Sequence, residues 1–151
     1  MGAQGALSGL DAFVGRWHAE GRQIASPFGP EGPVSADESY EWLAGHSFLV
    51  HRYDGFIDDN DAACVEIIGP KDGERGLAAH TFYDNGVQNL WDLSEQGGVW
   101  TMSGTWEREG AEYEVRCTIR PDAEVRTHLW EYRKDRTAPW RTFLDVKARP
   151  I

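Results

Sequence analysis

Glu38 and His51 lie on two alternating apolar segments that meet at Ala44-Gly45. A carboxylate beside an imidazole raises the histidine pKa and fixes the ring, as a general acid or base requires. Tyr40 and Tyr53 share their phase and offer hydroxyls to a substrate oxygen. The same pair serves equally as a buried ion pair that only pins the register of two strands. His80, between Phe82 and Trp91, suits a ligand contact, although a lone core histidine is usually just hydrogen-bonded. No HxH or HxxxH spacing supports zinc, and no metal is expected. The run Asp58-Asp59-Asn60-Asp61 lacks the glycine and terminal glutamate of an EF-hand and reads as a solvated turn. Ser47 and Ser103 lack a nucleophile-elbow context, and Walker, dinucleotide and Cys-x-x-Cys motifs are missing.

The elements that must carry these residues follow from hydrophobic period. A short helix is expected over Ala6 to Val14, with Leu7, Leu10, Phe13 and Val14 at helical spacing. Beyond it the period is two, giving about ten strands near 15–25, 34–43, 47–57, 62–69, 76–83, 87–94, 98–106, 111–120, 124–133 and 139–148. Short turns such as Asp84-Asn85-Gly86, Gln96-Gly97-Gly98 and Glu109-Gly110 imply an antiparallel meander. A meander this long avoids exposed edges by closing into a barrel, so the fold class is an all-β barrel in one domain, 1–151. The Pro/Gly-rich stretch from Ala25 to Pro33 reads as a loop at the barrel mouth, where a lid would sit.

Turn positions also set which side chains face inward. A two-residue Asn85-Gly86 turn pairs Phe82 with Asn89 and His80 with Trp91. The next turns set Trp91 against Met102, Leu93 against Trp100, Met102 against Cys117 and Trp106 against Tyr113. At Ala44-Gly45, Tyr40 opposes Leu49, Glu38 opposes His51 and Ala36 opposes Tyr53, with Trp42 on the same face. The segment 124–133 is ambiguous. A three-residue loop at Pro121-Asp122-Ala123 turns Val125, Thr127 and Leu129 inward, and a four-residue loop brings in His128, Trp130 and Tyr132. The first is favoured because the second drives Arg126 into the core.

Composition bounds the partners. Seven Trp, five Tyr and six Phe in 151 residues suit strands and also suit a pocket for an apolar or aromatic molecule. The formal net charge of −10 argues against nucleic acid and anionic membranes as partners. Met1 to Leu10 lacks the features of a signal peptide, and Cys64 and Cys117 read as reduced, buried thiols of a cytoplasmic protein. A homodimer is allowed by the sequence but not specified by it.

Gly15-Arg16-Trp17, after a short helix and opening the first strand, resembles the calycin superfamily of lipocalins, fatty-acid-binding proteins and nitrobindin-like barrels. The stretches LDAFVGRWHAEG, EWLAGHSFLVHRYDG and FYDNG are most similar to an uncharacterised bacterial family of lipocalin-like barrels. The resemblance implies that Trp17 closes one end of the barrel and that a late basic residue, Lys147 or Arg149, packs on it. Nitrobindin-like barrels keep a late histidine for haem iron; here no histidine follows His128, so haem is not expected. Small Ala19 and Gly21 leave room above Trp17. The expected function is binding of a small apolar or aromatic molecule by Tyr40, Trp42, Tyr53, His80, Trp91, Met102 and Trp106. The alternative is a cofactor-free isomerase or cyclase that uses Glu38 and His51.

Overall fold

The computed structural model describes residues 7–73 and 75–151. Ala6, the start of the expected helix, and most of the Met1–Leu10 segment lie outside the described residues. A 3₁₀ helix, Leu10–Phe13, leads into ten strands: β1 (Gly15–Gln23), β2 (Gly32–Trp42), β3 (Leu49–Ile57), β4 (Asn60–Pro70), β5 (Leu77–Tyr83), β6 (Gln88–Gln96), β7 (Val99–Arg108), β8 (Ala111–Arg120), β9 (Arg126–Arg133) and β10 (Arg141–Pro150). Each strand pairs antiparallel with its neighbours in sequence, and β1 pairs β10, with Ala19 opposite Ala148, to close the barrel. Closure leaves no free edge, which is the physical reason a ten-strand meander takes this form. Among the described residues no helix is long and apolar enough to cross a membrane.

Two close approaches fix residue choice. A Cβ on Gly21 would lie 1.9 Å from the Asp145 carbonyl oxygen, and one on Gly55 would lie 2.0 Å from that of Ser35. Glycine at these points therefore lets neighbouring backbones converge, beyond leaving space over Trp17. One end of the barrel is packed solid by Leu10, Phe13, Trp17, Leu49, Ile68 and Trp100, with the Trp17 indole N–H donating to the Phe13 carbonyl at 2.8 Å.

Register agrees with expectation between β7 and β8, where Met102 opposes Cys117 and Trp106 opposes Tyr113. Elsewhere it shifts. Between β2 and β3 the true partners are Glu38 with Tyr53, Tyr40 with His51 and Trp42 with Leu49. The hairpin closes at Leu43 and Phe48 rather than tightly around Ala44-Gly45, with His46 in the left-handed region at φ 56°. Between β6 and β7, Leu93 opposes Met102 because the loop is Gly97-Gly98. Both are slips of two residues, which leave every side chain on its expected face.

The β5–β6 slip is one residue, and it matters. Tyr83 and Val87 close a three-residue loop in which Gly86 takes φ 90°, so His80 opposes Leu90 and Ala79 opposes Trp91. That is the hairpin with a type I turn and a left-handed residue, rather than the two-residue turn. Thr81 and Tyr83 consequently face in, and His80 and Phe82 face out. In β9, Ile119 opposes His128, and Arg126, His128 and Trp130 turn inward. Arg126 does enter the core, fully buried, because a carboxylate waits for it there.

Candidate functional site

A cavity of about 300 Å³ occupies the barrel interior above Trp17, at the lower end of the range for small-molecule pockets. Its deep end is polar. β3 places His51 between the carboxylates of β2 and β4: Nε2 is 2.8 Å from Glu38 Oε1 and Nδ1 is 3.2 Å from Glu66 Oε1. Thr81 on β5 donates its hydroxyl to Glu66 Oε2 at 2.6 Å. Arg126 on β9 donates from Nη2 to Glu38 Oε2 at 2.6 Å and from Nε to His128 Nε2 at 2.7 Å. His128 therefore carries its proton on Nδ1, which faces Cys117 Sγ at 3.9 Å.

The charges follow from these contacts. Burial raises the Glu38 pKa, but the His51 hydrogen bond and the charges of His51 and Arg126 overcome it and hold the carboxyl at about 2. Burial lowers that of His51, yet its bonds to Glu38 and Glu66 hold it at about 9, so the ring is an imidazolium at neutral pH. His128 has no carboxylate on either nitrogen. Burial, then the Arg126 charge, drops it to about 3, and the ring stays neutral. Arg126 also lies over Trp17 at 4.5 Å, Tyr40 at 4.9 Å and Phe13 at 5.5 Å, and its Nη1 has no hydrogen-bond partner among the described residues. The basic residue packed on Trp17 is thus Arg126; Lys147 and Arg149 are exposed.

The rest of the wall is aromatic. The rings of Trp106 and Trp130 are nearly parallel, 6.2 Å apart at 6°, and Phe143 lies 6.1 Å from each. The β1–β2 loop turns back at a Ser26–Gly29 bridge and inserts Phe28 among Phe143 at 4.7 Å, Trp106 at 5.1 Å and Tyr132 at 5.4 Å. Arg108 covers Phe28 and Trp106 at 5.8 and 5.4 Å. Tyr40, Tyr53 and Tyr83 line the cavity, and none of their hydroxyls has a hydrogen-bond partner among the described residues. Burial pushes all three phenols above their ordinary range, with nearby carboxylates adding to the effect, so they remain protonated.

Of the residues singled out from sequence, Glu38, Tyr40, His51, Tyr53, Met102 and Trp106 line the cavity. Trp91 stands behind the wall, buried, edge-on to Trp106 at 5.7 Å and Trp130 at 5.5 Å. Trp42 sits at the packed end, its indole donating to Asp11 Oδ1 at 2.7 Å. His80 is on the outer surface, stacked on Phe82 at 4.2 Å. Cys64 is only half-buried and lines the cavity, while Cys117 is fully buried. Sequence reasoning missed Glu66, Thr81, Tyr83 and Phe28, and it disfavoured the register that brings in Arg126, His128 and Trp130. For Glu66 a signal was present: a turn at Asp58-Asp59 pairs Ile57 with Asn60, and counting back places His51 opposite Glu66.

Among the described residues no group of three His, Cys, Asp or Glu side chains forms a metal site. Haem iron needs an imidazole nitrogen with an open lone pair. Both nitrogens of His51 and both of His128 are engaged, so the cavity histidines do not fit that role.

The class defined by this architecture is a closed ten-strand antiparallel barrel with an internal cavity. The chain belongs to the family described as Protein of unknown function (DUF1579), whose model matches residues 5–139. No curated protein matches the chain. Among solved structures, the crystal structure of Rv2717c from M. tuberculosis is similar, with a TM-score of 0.68 and 13% identity over 97% of each chain. That likeness extends to the fold alone.

Proposed function

We propose that the barrel binds one small, largely apolar or aromatic molecule in its interior. The observation that carries this reading is a cavity walled by Trp106, Trp130, Phe143 and Phe28 and lined by Tyr40, Tyr53 and Tyr83, whose hydroxyls have no hydrogen-bond partner among the described residues. A packed core would satisfy such hydroxyls or exclude them; a binding site keeps them for a ligand. The short helix, the Gly15-Arg16-Trp17 opening and the closed meander support placing the chain with calycin-type barrels. Two thiols without a disulfide among the described residues suit a reducing cytoplasm. Proton transfer through Glu38 and His51 has less support, because both imidazole nitrogens are bonded to carboxylates and neither is free for a substrate.

The test is titration with N-phenyl-1-naphthylamine, a neutral dye that brightens in apolar surroundings, alongside native mass spectrometry of the protein as purified. Saturable one-to-one binding, weakened about tenfold by Trp106→Ala through loss of one aromatic contact surface, is the expected result. Absence of saturable binding, or an affinity indifferent to Trp106→Ala, counts against an interior site.

A further inference from the structure

The charge of the cavity wall selects among aromatic ligands. Glu38, Glu66, Asp61 and Asp84 contribute four carboxylates to the lining. The cations are His51 and Arg108 on the wall and Arg126 directly behind Glu38; Asp61 and Asp84 are exposed and add negative charge toward solvent, while His51 and Arg126 offset Glu38 and Glu66 at the deep end. The carboxylates are not used up. Glu38 and Glu66 accept one hydrogen bond on each oxygen, whereas a carboxylate has about four acceptor sites. Tyr40, only 4% exposed, lines the same end, and its hydroxyl has no hydrogen-bond partner among the described residues. The facing rings of Trp106, Trp130 and Phe143 present π faces, which attract positive charge.

Resting on the binding reading above, we propose that the ligand is an aromatic amine, its protonated nitrogen against Glu66 and Glu38 and its ring on the Trp106–Trp130 wall. An aromatic carboxylate of the same size would bring a third carboxylate to the pole that already holds Glu38 and Glu66. Arg126 and His51 are both committed to Glu38.

Tryptamine, indole and indole-3-acetate share one ring system and differ in charge, and their affinities for the intact protein are measured by calorimetry. Tryptamine is expected to bind at least tenfold more tightly than indole-3-acetate, with indole between them. Glu66→Gln should remove most of that advantage, weakening tryptamine far more than indole. Equal affinities, or a preference for indole-3-acetate, overturn the charge assignment and leave interior binding standing. A tryptamine advantage that survives Glu66→Gln overturns the placement of the nitrogen. Binding of none of the three overturns both this inference and the aromatic site beneath it. Should the variant not fold, the ranking on the unaltered protein still decides the charge assignment.

Discussion

Replacing Glu38 by glutamine preserves the side chain's shape and removes its charge, which isolates what the buried network contributes. In the folded protein Glu38 meets Arg126 at 2.6 Å and His51 at 2.8 Å, and Arg126 is fully buried. Holding the Glu38 carboxyl at about 2 instead of 4.5 corresponds to about 3 kcal/mol at roughly 1.36 kcal/mol per pH unit. Breaking a buried ion pair by removing one partner costs about 3–5 kcal/mol, because the surviving charge is stranded. The two routes agree. For a domain of 151 residues this predicts a drop in Tm of about 6–12 °C. Urea unfolding followed by tryptophan fluorescence gives the free energy directly. Arg126→Met alone should be comparably harmful, and the double variant less harmful than the sum by about 1–3 kcal/mol. A loss below about 1 kcal/mol for Glu38→Gln, the range of an exposed pair, would refute the reasoning, as would strict additivity.

The same network predicts the pH profile of stability. His51, raised from 6.5 to about 9, contributes fully below pH 6.5, and that contribution is lost as pH rises through 9. His128, lowered from 6.5 to about 3, contributes above pH 6.5 and is lost as pH falls toward 3, with Glu38 following between 4.5 and 2. The urea midpoint should therefore peak near pH 6.5, and a flat profile from pH 4 to 9 would contradict the assigned charges. Phe28→Ala removes the ring that the β1–β2 loop inserts at the mouth, and stopped-flow release of N-phenyl-1-naphthylamine should quicken about tenfold, from loss of contacts worth about 1 kcal/mol or more. His80→Ala should leave dye affinity unchanged, since that ring is outside the barrel. Gly55→Ala should cost about 1–3 kcal/mol or more in thermal denaturation, because its Cβ would lie 2.0 Å from a backbone oxygen.

Period and turn chemistry made the barrel legible, because they are local and repeat ten times along the chain. The facing of Glu38, Tyr40, His51 and Tyr53 was legible too, since a slip of two residues preserves the face. Loop length was the weak point. Asp84-Asn85-Gly86 supports either a two-residue or a three-residue hairpin, and that one residue exchanged His80 for Thr81 and Tyr83 inside the barrel. Arg126 was misjudged for a different reason. Keeping a guanidinium out of the core is sound as a single-residue rule, but it fails when the partner, Glu38, is 88 positions away in sequence. Local patterns say nothing about such a pairing. Only closure brings β9 over β2.

The pairing of β1 with β10 also has a kinetic side. The first and last strands must find one another before the barrel is complete, and a ladder of such high sequence separation carries a large loop-closure cost. Until Arg141–Pro150 docks, β1 and β9 both present open edges, and the wall lacks Phe143 and Val146. The cavity is therefore complete only once β10 is in place. A ligand that fits it binds only the finished barrel, and would slow unfolding more than it hastens folding.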